Sequence, residues 1–141
     1  MAAASVFAAT AGVARADDAS AARAILRANI ETLVMEQSLA RCAAKSPTRN
    51  TPCIVHAATT LATLDARHIG LIQAAAKDST MPCVKKVAAA VVQAMGVERR
   101  AALAVVANHR KQARGLFLRS DSLNQANAKL EESCLPRAAG G

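Results

Sequence analysis

Residues 50–61, NTPCIVHAATTL, and residues 80–91, TMPCVKKVAAAV, share one pattern. A turn-forming stretch runs into Pro-Cys, and Pro-Cys runs into small residues at helical spacing. Proline is harmless at the first position of a helix, where its missing N–H would have had no intrahelical partner. Each stretch therefore opens a helix and sets a cysteine in its first turn. The residues that follow diverge, so the echo is not a domain duplication.

Working outward, the chain divides into four amphipathic segments. The first runs from a cap at Asp18 or Ser20 to about Lys45. Its predicted apolar face is Ile25, Leu26, Ile30, Leu33 and Leu39, and Arg23, Arg27, Glu31, Arg41 and Lys45 face solvent. SPTRNTP (46–52) is a loop, and Thr51 caps a second helix running to about Lys77 with Ile54, Leu61, Leu64, Ile69, Leu71 and Ile72 inward. DSTMP (78–82) is the next turn, and Pro82 opens the third helix.

Gly96 invites a break in that helix, but Val84, Val87, Val91, Met95, Ala102 and Val105 stay in phase on both sides of it. One glycine costs only about 1 kcal/mol in a helix interior. The stripe predicts one long helix to Arg114, ended by Gly115, with Arg110, Lys111 and Arg114 near its C-terminus. A shorter fourth helix is predicted from Ser122, with Ser122 and Gln125 as a capping box, to about Cys134; residues 135–141 are predicted to be a disordered tail. The expected architecture is all-α: an antiparallel up-down four-helix bundle with a long third and a short fourth helix, stabilised by disulfides.

Composition narrows the rest. Apolar residues make up 52% of the chain, 36 of the 141 residues are alanine, and the only aromatic rings of the Phe, Tyr and Trp type are Phe7 and Phe117. The core must be built from Leu, Ile, Val and Ala. Stacking of single-stranded nucleic acid on aromatic side chains is not available to such a chain. Residues 1–16 read as a cleaved signal peptide: an uncharged run, AAASVFAATAGV, precedes an A-x-A site at Ala14 and Ala16, although no Lys or Arg lies between Met1 and that run. The mature domain is then expected over 17–134, in the periplasm or secreted. No other stretch approaches the ~18 continuous apolar residues of a membrane span. The net charge of +8 favours an anionic counterpart, in an exported protein most simply the acidic surface of another protein, because nucleic acid is not the expected partner in that compartment.

Four cysteines, Cys42, Cys53, Cys83 and Cys134, remain in the mature part with no C-x-x-C among them. An even number in a small exported chain points to disulfides. In an antiparallel bundle Cys42 and Cys53 share one end, and Cys83 lies ~36 Å away along the second helix. Bridged Cα atoms lie within ~7 Å. Only Cys42–Cys53 with Cys83–Cys134 survives that limit.

Chemistry, if any, should sit where polar residues interrupt apolar stripes. Glu36 on the first helix, Asp65 and His68 on the second and Glu98 on the third do so. Buried carboxylates are costly unless paired or metal-bound. Carboxylate bundles that hold two metals take a Glu from each of two helices and Glu-x-x-His from the others; DARH (65–68) offers one such motif with a shorter acid, and the fourth helix offers none. Glu36, Asp65, His68 and Glu98 are thus a candidate divalent-metal set, against a simpler reading in which they pair with each other or with arginines and no cofactor is held. Serines are expected at surface or capping positions, and glycine-rich phosphate loops are absent. The expectation is a non-enzymatic helical binding protein of inhibitor, immunity or chaperone type, with a metal or cofactor carrier as the alternative.

Overall fold

A computed structural model describes residues 16–140, which form four helices: α1 (Ala16–Lys45), α2 (Pro52–Lys77), α3 (Pro82–Val106) and α4 (Arg110–Ala138). No strand occurs among the described residues. The expected signal segment lies outside them except for Ala16. No helix of the described residues is long and apolar enough to cross a membrane.

Helix α1 lies along α2, α2 along α3 and α3 along α4, whereas α1 meets α4 only sparingly. Both bridges form as the spacing requires: Cys42 with Cys53 at a Cα separation of 5.7 Å, and Cys83 with Cys134 at 6.0 Å. They sit at opposite ends of the molecule, each beside its own hydrophobic cluster. Ile25, Ile72, Val84, Val87, Val91 and Leu135 pack near Cys83–Cys134. Leu39, Ile54, Leu61 and Ala102 pack near Cys42–Cys53, with Phe117 against them.

Local signals set the start of α2. Thr51 Oγ1 accepts from the Ile54 N–H at 3.3 Å, and Pro52 follows at the first helical position. At the start of α3, Met81 supplies no side-chain cap. Asp18 serves instead from α1: its carboxylate accepts from the Thr80 N–H at 2.8 Å, the Met81 N–H at 3.1 Å and Thr80 Oγ1 at 3.0 Å, and also from Ser79 Oγ. Asp18, expected to cap its own helix, is fully buried and caps another.

The second half of the chain departs from expectation. Helix α3 ends at Val106, not Arg114, and Gly115 lies inside α4. Asn108 takes the left-handed conformation at φ 61°, its N–H donates to the Val105 carbonyl at 2.9 Å, and the His109 N–H donates to the Ala104 carbonyl at 2.8 Å. That pair of bonds is a Schellman stop, with asparagine in the place usually taken by glycine. The expected long third and short fourth helices become 25 and 29 residues. Ser122 does not open a helix; within α4 it donates to the Leu118 carbonyl. At the far end α4 continues through Pro136, where a disordered tail was expected from residue 135, because Leu135 and Ala138 are buried and Arg137 Nε bonds the Ser133 carbonyl at 2.9 Å.

Candidate functional site

Between the two apolar clusters lies a polar layer to which every helix contributes. Thr32 and Glu36 come from α1, Asp65 and His68 from α2, Glu98 from α3 and Ser120 from α4; all but Glu36 are buried. Thr32 and Ser120 are satisfied by backbone, donating to the Ala28 carbonyl at 2.9 Å and the Ala94 carbonyl at 3.1 Å. The acids are different. Neither oxygen of Asp65 receives an N–H or hydroxyl. The groups that act on it are the Glu98 and Glu36 carboxyls and, least of the three, the Arg99 charge.

Two carboxyls hydrogen-bond only if one keeps its proton. Burial, first of all, pushes the Glu98 carboxyl well up, and the bonds and charges of Glu36 and Asp65 push it the same way. Burial likewise raises Asp65 to about 7, opposed by its bond to Glu98. Glu98 is therefore the proton-holding hub of an acid trio. Its proton is what allows the buried Asp65 carboxyl to lie against a second acid.

The four-residue metal set read from the sequence divides. Glu36, Asp65 and Glu98 gather, but His68 turns to α1, where its Nε2 lies 2.7 Å from Glu31 Oε2. Arg27 Nε holds the other Glu31 oxygen at 2.7 Å, and Arg27 and then His68 keep that carboxyl below its ordinary range. Among the described residues, no three His, Cys, Asp or Glu side chains are placed to enclose a metal ion.

Glu36 also forms part of the wall of a cleft of about 570 Å³ between α1 and α4, which meet only sparingly. Leu39, Ile54, Val105 and Phe117 line it, along with the small side chains of Ala40, Ala43 and Ala113. Alanine walls and a single ring leave this volume unfilled. Arg110, Lys111 and Arg114 stand at its rim. The sequence reading placed these cations at a helix C-terminus; they lie in the first turns of α4, at the positive end of its dipole, with no acidic residue in that turn and no side-chain cap from His109. Arg110 is held in place by the Pro47 carbonyl and by Asn50 Oδ1 at 3.2 Å, and its Nε is buried with no partner.

The outer face of α1 also departs from expectation. Leu26, Ile30 and Leu33, expected inside, are 41%, 65% and 51% exposed, as is Val34 at 54%. The signal was present, because Val34 lies about 180° around a helix from Ile25, too wide an apolar arc for one buried face. Asn29, in the same stretch, reaches α4 through Glu131 Oε2 at 3.3 Å and is not part of the core.

Compared with known proteins, the chain matches no family model, no curated protein and no solved structure.

Proposed function

We propose that this chain is an exported, non-catalytic binding module whose docking surface is the outer face of α1, and that its partner is a protein with an acidic rim around an apolar patch. The observation that carries this reading is the row of Leu26, Ile30, Leu33 and Val34, four large aliphatic side chains left in water on one helix. A contiguous exposed apolar patch on a small protein marks an interaction site. Arg23, Arg27 and Arg41 lie exposed on the same helix, and its Glu31 is already engaged by Arg27 and His68. Apolar centre and arginine rim are the composition of a protein interface. A symmetric second copy would bring the arginine rims together, so a different, acidic partner fits better. The two disulfides and the A-x-A segment support an oxidising compartment outside the cytoplasm.

The test places a photo-crosslinking residue at position 30 in cells that export the protein, identifies the adduct, and titrates the purified partner. Ile30→Asp and Val34→Asp should each weaken binding by about tenfold or more, Leu118→Asp on α4 should not, and higher salt should weaken it further. An adduct consisting of the chain itself, or a partner indifferent to both substitutions, overturns the proposal.

A further inference from the structure

From the cleft between α1 and α4 we infer a second binding site, for a single-tailed anionic amphiphile, a long-chain carboxylate. Its volume of about 570 Å³ falls within the range of small-molecule sites. Such sites combine a mostly apolar lining with a few placed polar groups. Here Leu39, Ile54, Val105 and Phe117 offer an apolar bed, and Arg110, Lys111 and Arg114 offer three cations on one side of it. Helix dipoles disfavour cations at an N-terminus, so no local reason places them there, and an anion among them would offset that cost. Arg110 is held beside the cleft by Pro47 and Asn50, and its buried Nε lacks a partner. Glu36 is the acid of the lining and stands on the opposite helix, which directs the anionic head to the α4 side and leaves the bed for the tail. A cationic or neutral amphiphile would lack this match.

The inference is independent of the docking face on α1, and its test keeps the two apart. Dodecanoate, below its micellar concentration, is titrated calorimetrically into the oxidised full chain, with amide NMR shifts locating the contact. Binding should be saturable at one per chain and should tighten about tenfold for each two methylenes between octanoate and dodecanoate. It should be lost in Ala40→Trp, which fills the cleft from an exposed position, and weakened at least tenfold in the Lys111→Glu, Arg114→Glu double variant. Both variants are accepted only with a helical spectrum and a thermal transition like those of the parent. Ile30→Asp should bind dodecanoate as the parent does; loss there would assign the ligand to the α1 face and overturn the inference. It also fails if no saturable binding occurs, if dodecyltrimethylammonium binds as well as dodecanoate, or if both cleft variants keep full affinity.

Discussion

An ionised carboxylate at Asp65 would be buried beside two other acids, with only the Glu98 carboxyl proton to receive its charge. The folded protein therefore favours the protonated form, and its carboxyl, ordinarily titrating at 3.8, is raised to about 7. Between those values the native state binds more protons than the unfolded chain, so stability must fall as pH rises. Glu98, raised further, extends the decline to higher pH. Glu31 is shifted the other way, and its contribution is lost only as pH drops below the ordinary carboxylate range. Urea unfolding should thus give a stability lower at pH 8 than at pH 5 by a few kcal/mol. Glu98→Gln, whose amide can donate to Asp65 without holding a titrating proton, should flatten that slope and stabilise the protein at pH 8. A stability that rises from pH 5 to pH 8 in the parent would contradict the acid trio.

At the scale of the helix, the break between α3 and α4 shows how two weak signals compete. Gly96 and Gly115 are both interior to helices, and a Cβ at either would meet nothing within 4 Å. The small cost that made Gly96 tolerable applies equally to Gly115. The stop instead belongs to Asn108, a residue that reaches positive φ more readily than most. Gly115→Ala should therefore stabilise the protein by about 0.5–1 kcal/mol, and Asn108→Ala should cost about 1 kcal/mol or more while Asn108→Gly is tolerated. Had the third helix run to Arg114 with Gly115 as its stop, each of these signs would reverse, Gly115→Ala destabilising the protein and Asn108→Ala stabilising it. Chemical denaturation of the three variants distinguishes the cases. The consequence for function is direct, because an α4 that begins at Arg110 is what carries Arg110, Lys111 and Arg114 to the cleft.

Across the whole molecule two disulfides reinforce the packing of four alanine-rich helices. Cys83–Cys134 closes a sequence separation of 51 residues and Cys42–Cys53 one of 11. On the chain-entropy view, removing the first as a Cys→Ser pair should cost roughly 4 kcal/mol and removing the second roughly 3 kcal/mol. Cys53 is exposed whereas Cys134 is fully buried, so mild reductant followed by alkylation and peptide mapping should open Cys42–Cys53 first. Equal rates, or the reverse order, would show that the buried end opens as easily as the exposed one.

Four helical segments, the pairing of the cysteines and the acids at Glu36, Asp65 and Glu98 were readable in the amino-acid order alone. Periodicity, proline position and the length of α2 are properties of a short run of chain, and they act before any tertiary contact forms. Three things were decided only by the fold: that Asp18 caps α3, that His68 leaves the acids for Glu31, and that one flank of α1 stays open while α4 touches α1 only sparingly. A helical repeat says which residues share a face, but not which face a neighbour from another part of the chain will cover. That depends on where the neighbouring helix begins, and here its beginning was set by Asn108.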